Sequence, residues 1–134
     1  AAHEQIIGIK EASGNLAQCK QLAANKPEDF LLISGDDLLS ADIIEMGGDG
    51  VISVLANGFP ESFSAAINQA LAKNTKESKE LLSDFDEINP LMYEESNPVG
   101  IKTVLRLKGI CGSQVRLPLL KASSELKARI SKHL

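Results

Sequence analysis

The sequence predicts an α/β fold of parallel strands joined by helices, followed by an all-helical tail. Three observations carry that expectation. Short apolar runs rich in β-branched residues recur three times in the first 57 residues. A stretch of helical periodicity separates each run from the next, and the strand pattern stops after residue 73.

The first run is Ile6-Ile7-Gly8-Ile9, the second Phe30-Leu31-Leu32-Ile33 and the third Val51-Ile52-Ser53-Val54. Each has the length and continuity of a strand buried on both faces. Between the first two, Leu16, Cys19, Leu22 and Ala23 fall on one helical face. Between the second two, Leu38 to Met46 reads as a helix that Gly47-Gly48 stops. After the third, Pro60-Glu61 opens another helix, with Pro where its missing N–H costs nothing. The order β-α-β-α-β-α implies parallel strands and right-handed crossovers.

In the tail, Asn74 with Glu77 resembles a capped helix start. Leu81, Leu82, Phe85, Ile88 and Met92 then follow at helical spacing. Asn97-Pro98 begins a helix in which Ile101, Val104 and Leu105 share a face, and a last helix covers Ser124 to Lys132. The division expected is 1–73 for the βα units and 74–134 for the helical region. Three parallel strands cannot close a barrel, and an open sheet leaves both edges unpaired. A complete (β/α)₈ barrel takes roughly 250 residues. The pattern therefore allows either a small open α/β domain or the end of a barrel.

Composition narrows the function. The 134 residues are 43% hydrophobic and 24% charged, as in a soluble globular protein. Aromatics at 4% with no Trp argue against a base-stacking surface, and a net charge of −4 against a phosphate-backbone partner. No run approaches the roughly 20 apolar residues that span a bilayer, and no signal-peptide pattern opens the chain. The start at Ala1-Ala2-His3, without Met, is what a truncated or processed chain would show. Cys19 and Cys111 match no metal or redox spacing. They are expected to be reduced thiols in a cytoplasmic protein, with a single disulfide as the alternative.

Lys10 ends the first run, in Gly8-Ile9-Lys10-Glu11-Ala12-Ser13-Gly14-Asn15. The C-terminal ends of parallel strands are where α/β proteins place their sites. A nucleophilic lysine must shed its proton, by desolvation or beside another cation, and the flanking apolar run offers partial desolvation. The plainer reading is a solvated lysine paired with Glu11. Ser34-Gly35-Asp36-Asp37 ends the second run. Gly35 permits close backbone approach of a ligand, and an Asp before a helix is more often its cap than an acid or base. Ser53 and Asn57 either face a ligand or satisfy the turn. Gly47-Gly48-Asp49-Gly50 precedes its strand, unlike a phosphate-binding loop. His3 and His133 lie near the two ends without further ligands, so no metal site is expected.

Taken in order, these motifs resemble the dihydrodipicolinate synthase family. The segment Gly8 to Asn15 is similar to its Schiff-base strand and the turn beyond it. Ser34-Gly35-Asp36-Asp37 and Gly50-Val51-Ile52-Ser53-Val54 with Ala56-Asn57 resemble its next two strand ends. Asn97-Pro98-Val99-Gly100-Ile101-Lys102 and Leu117-Pro118-Leu119 resemble its C-terminal helical region. The resemblance covers essentially the whole chain. It implies strands six to eight of a (β/α)₈ TIM barrel with the appended helices. It also implies a pyruvate-dependent aldolase of lysine biosynthesis, condensing pyruvate with L-aspartate semialdehyde to 4-hydroxy-tetrahydrodipicolinate. Lys10 would form the imine with pyruvate, with no cofactor and no metal. Ile52 would line the pyruvate site, largely through its backbone, and Gly35 would leave room beside it. A homotetramer is the family's habit.

By the same resemblance, the threonine pair that holds the pyruvate carboxylate belongs to an earlier strand than those present. So do the proton-relay tyrosines and the arginine that receives the semialdehyde. Tyr93 lies in the helical tail and takes no part in that relay. The chain alone is thus expected to be nearly inactive and to need the missing half. The alternatives are an N-acetylneuraminate lyase-like or other 2-keto acid aldolase, and a non-catalytic half-barrel that binds a complementary chain.

Overall fold

The computed structural model describes residues 3–134. Contacts group them into two compact units, residues up to Ser53 with Glu61–Ser83, and Val54–Pro60 with Asp84–Leu134. Among the described residues, no helix is long and apolar enough to cross a membrane.

The first unit is built on three parallel strands in the order β1-β2-β3, with β1 Gly8–Glu11, β2 Leu31–Ser34 and β3 Gly50–Val51. Gly8 to Glu11 pair with Leu31 to Ser34, and Ile33 and Ser34 pair with Gly50 and Val51. Helices α1 (Leu16–Asn25) and α2 (Ser40–Glu45) form the crossovers, with α3 (Pro60–Leu71) and α4 (Thr75–Ser83) following. The parallel α/β order read from the sequence is present.

Asn15 starts α1, its side-chain oxygen accepting from the Gln18 N–H at 3.1 Å. One face of α1 then delivers Cys19 to a core with Leu32 and Ile43, flanked by Leu16, Leu22, Ala23 and Leu39. At the end of α2, the Gly48 N–H donates to Ile43 O at 2.8 Å and the Gly47 N–H to Ile44 O at 3.0 Å. With Gly47 at φ +108°, this is a Schellman stop. Asp49 then fastens β3 to β2. Its N–H donates to Leu32 O and its carboxylate accepts the Leu32 N–H, both at 2.8 Å. Its carboxylate also pairs with Lys26 at 3.2 Å. The glycine-rich stretch is therefore a helix stop and strand clamp. Helix α4 contacts α2, where Lys79 bridges Asp42 at 2.6 Å and Glu45 at 3.8 Å, so it joins the strand unit although it lies beyond residue 73.

One expectation is overturned. The strands are not buried on both faces. Leu32, Ser34 and Glu11 are buried on the helix side, while Leu31 is 40% and Ile52 55% exposed. Successive strand residues point to opposite faces, and α1 and α2 cover only one of them. β1 and β2 are as long as their apolar runs but begin later in the chain, whereas β3 is shorter than its run and ends at Val51.

The second unit holds a 3-10 turn at Leu55–Asn57, another at Pro90–Met92, α5 (Val99–Leu107) and α6 (Ser124–Ile130), closed by a 3-10 turn at Ser131–His133. Met92, Val104, Leu126 and Ile130 are fully buried in its core. Gly100 allows α5 to approach the Pro90–Met92 turn, since a Cβ there would lie 2.5 Å from Leu91 O and Met92 Cα. Lys108 sits 4.4 Å above the Phe59 ring, which meets Phe85 edge-on at 5.5 Å. Ser123 caps α6, its Oγ accepting the Leu126 N–H. The helical spacing of Leu81 to Met92 does not produce one helix. α4 stops at Ser83 and turns lead to Pro90, whose ring removes an N–H and crowds the preceding turn.

Candidate active site

Lys10 lies in β1 next to its last residue, and Gly35 and Ile52 directly follow β2 and β3, so all three stand at the C-terminal edge of the sheet in the first unit. Lys10 is the third residue of β1 and pairs with Ile33. Gly35 follows β2 directly and extends the ladder, its N–H donating to Glu11 O at 2.6 Å. Ile52 follows β3 in the same way, its N–H donating to Ser34 O at 2.9 Å. With that N–H engaged, the backbone group Ile52 can offer is its carbonyl.

The Lys10 side chain runs across Gly35. A Cβ at residue 35 would stand 2.5 Å from Ala12 Cβ, 2.9 Å from Lys10 Cε and 3.0 Å from Glu11 O. Two of these neighbours belong to β1 or the turn beyond it and cannot swing away, so no side chain fits at this position without moving the lysine strand. The space that glycine leaves is occupied by the lysine stem.

Lys10 is solvated, as the plainer reading has it, but two other expectations for it fail. The residue is exposed rather than partly desolvated, because the face it occupies is uncovered in this chain. Nor does it pair with Glu11. Adjacent strand residues point to opposite faces, and Glu11 is buried against α1 with 5% exposure. Its carboxylate collects the Ser13 N–H at 2.9 Å and Gln18 Nε2 at 3.0 Å on Oε1, and Cys19 Sγ at 2.9 Å on Oε2. These donors, led by the thiol, hold the carboxyl below its ordinary pKa. Burial first, and the carboxylate next, push the Cys19 thiol up to about 11. The sequence reading missed this cluster. Period-two alternation along β1 was the signal that could have separated Glu11 from Lys10.

Asp36 and Asn57 each make a turn contact. Asp36 accepts the Leu39 N–H at 3.0 Å and so holds the turn ahead of α2, while Ser34 Oγ and Ser40 Oγ both donate to its carbonyl. Asn57 Nδ2 donates to Val54 O at 3.1 Å. Cys19 and Cys111 are both free thiols. Among the described residues, no cluster of His, Cys, Asp and Glu could hold a metal ion. An apolar cleft of about 380 Å³ lies beside α1, lined by residues such as Ile9, Leu22, Phe30 and Leu32. Lys10, Gly35 and Ile52 do not line it.

The comparisons agree in sequence and in fold. The model of the dihydrodipicolinate synthetase family matches residues 1–134. A 4-hydroxy-tetrahydrodipicolinate synthase of Cytophaga hutchinsonii is 52% identical over 127 residues, covering 95% of this chain and 43% of the relative. One of Campylobacter jejuni is 44% identical over 128 residues, with the same coverage. The crystal structure of dihydrodipicolinate synthase from Aquifex aeolicus matches with a TM-score of 0.93 at 28% identity, over 98% of this chain and 45% of its own. The Acinetobacter baumannii synthase crystallised with pyruvate matches at 0.90 and 30% identity, over 96% and 44%. The chain thus spans less than half the length of these relatives. Its three parallel βα units and trailing helices are the corresponding part of their (β/α)₈ barrels.

Proposed function

The chain belongs to the dihydrodipicolinate synthetase family, and on that premise we propose that it carries the imine-forming lysine, Lys10, of a pyruvate-dependent aldolase of lysine biosynthesis. The observation that carries this reading is the convergence of Lys10, Gly35 and Ile52 at one strand edge, with the lysine stem lying in the space Gly35 leaves.

The chemistry follows from an amine placed there. Lys10 Nζ adds to the ketone carbon of pyruvate, and loss of water leaves a protonated imine. That cation withdraws electrons, so a methyl proton departs and an enamine forms. The enamine carbon attacks the aldehyde of L-aspartate semialdehyde, and water then cleaves the imine and frees Lys10. Covalent catalysis of this kind splits one difficult step into easier ones. No cofactor is required, because the imine is itself the electron sink. Gly35 supplies room for the lysine.

Lys10 alone does not make an aldolase. The donors that would hold the pyruvate carboxylate, relay protons and receive the semialdehyde lie in the part of the relatives this chain does not span. Rate enhancement depends on several such groups held together.

The test is borohydride trapping with pyruvate, read by intact mass and peptide mapping. Four proteins are compared: this chain and this chain joined to the N-terminal part of a relative, each with and without Lys10→Ala. The joined protein should take up pyruvate at Lys10 alone and lose the adduct with Lys10→Ala. The short chain should condense the two substrates little or not at all. Failure of the joined protein to form an adduct, or an adduct that survives Lys10→Ala, would remove Lys10 as the nucleophile.

A further inference from the structure

The only buried side chain in β1 is a carboxylate. Of its four residues, Gly8 is half-buried, Ile9 and Lys10 are exposed and Glu11 is buried. Among the described residues β1 pairs with β2 alone. Apolar burial therefore does little to fix this strand, and its C-terminal end needs another anchor.

Burying a carboxylate is costly unless it is hydrogen-bonded or paired. Glu11 has no cation within ion-pair distance among the described residues. Three donors reach it, from two places. Ser13 lies in the turn after β1, Gln18 and Cys19 lie in the first turn of α1, and all reach it within 3.0 Å. Strand end, turn and helix start are thereby joined through one side chain. Its backbone is held too, because Glu11 O accepts the Gly35 N–H. A residue fixed on one face of a strand fixes the direction of its neighbour on the other.

We propose that Glu11 is a positioning residue for Lys10, its buried carboxylate tying β1 to α1 so that the lysine projects from the opposite face over Gly35. The inference rests on the reading of Lys10 as the reacting amine. Glu11 touches no substrate; it acts through the strand. Cys19 and Gln18 serve as its anchors, which gives a function to a buried thiol that the imine chemistry leaves unused.

The experiment compares Glu11→Gln, Cys19→Ala and Cys19→Ser with the parent, in this chain alone and joined to the N-terminal part of a relative. Two probes report on Lys10: pyruvate with borohydride, and formaldehyde with cyanoborohydride, the second needing no substrate pocket. Both are read at Lys10 by peptide mapping, against the other lysines, across pH. Glu11→Gln places an amide donor among three donors. It should lower the trapping rate at saturating pyruvate by about tenfold or more, with the half-saturating pyruvate concentration little changed. It should also alter the pH profile of Lys10 methylation. Cys19→Ala should move both readouts the same way and Cys19→Ser, which keeps a donor, should restore them. Should Glu11→Gln fail to fold by circular dichroism, the two Cys19 variants decide the matter. Parent-like trapping and methylation in Cys19→Ala or in a folded Glu11→Gln overturns the inference. Absence of any pyruvate adduct in the joined parent would refute the aldolase reading. The methylation profiles then judge the positioning role, and unchanged profiles overturn it.

Discussion

Glu11 and Cys19 make opposite demands on pH. The thiol donates to the carboxylate, which suits a protonated sulfur and an ionised oxygen. Burial holds the proton on Cys19, raising its pKa from the ordinary 9.0 to about 11. Between those values the unfolded chain has lost the proton and the folded chain keeps it. Stability must therefore fall as pH rises through that window, at about 1.4 kcal/mol per unit. Glu11 works in the other sense. Its depressed pKa contributes stability above the unfolded value, and that contribution disappears as pH falls through the folded one. Urea midpoints for the parent and Cys19→Ser between pH 7 and 11 isolate this thiol, since every other ionisable group is common to both. The parent should lose more stability above pH 9 than the variant, and parallel declines would show that Cys19 does not carry the effect. At this scale the position of Lys10 near a strand end was legible in the sequence. Its separation from Glu11 was not, because two adjacent charges suggest a pair until the pleat sends them apart. Two of the three partners of Glu11 lie seven and eight residues away on another element and emerge only when α1 docks.

Elements are held by their ends as much as by their faces, and α2 shows how to measure one end. Gly47 sits at φ +108°, and a Cβ there would find only Ala23 Cβ at 3.8 Å, an ordinary contact. The cost of Gly47→Ala is then a backbone cost, about 1–2 kcal/mol for an L-residue forced to positive φ. Gly48→Ala differs in kind, because its Cβ would stand 2.8 Å from Ile43 O, the acceptor that closes the helix. Chemical denaturation should place Gly47→Ala within that range, with Gly48→Ala lower still. A Gly47→Ala midpoint equal to the parent's would refute the strain at this turn. The helix stop was readable from two consecutive glycines, as was the core face of α1 from Leu16, Cys19, Leu22 and Ala23. The extent of the strands was not readable. A run such as Ile6 to Ile9 reports affinity for a sheet without saying how many of its faces will be covered. Leu82, Phe85, Ile88 and Met92 are all buried as the spacing implied, yet no single helix carries them. Successive turns place side chains inward every three or four residues as well as a helix does, and Pro90 should have weighed against continuity.

For the molecule as a whole, the uncovered side of the sheet is the dominant fact. Leu31 and Ile52 present apolar surface to solvent, and β1 and β3 each have an edge without a strand partner among the described residues. Relatives whose chains are more than twice as long match this one over less than half their length, and further βα units are what covers such faces in a barrel. In this chain the same surface favours association, with itself or with a complementary part. The net charge of −4 opposes self-association only weakly at physiological salt. Light scattering and size exclusion at about 100 µM should therefore give a mass above the 14.3 kDa of one chain. Because the attraction is apolar, sulfate should strengthen it, whereas an electrostatic contact would weaken. Leu31→Thr with Ile52→Asn should return the chain toward a monomer, leaving the buried Leu32 and Ser34 undisturbed on the other side of the sheet. Adding the N-terminal part of a relative should compete with self-association for the same face. A parent chain that stays monomeric at that concentration, in low salt and in sulfate alike, would mean that this surface tolerates water. The need for a covering partner, complementary or identical, would then be lost.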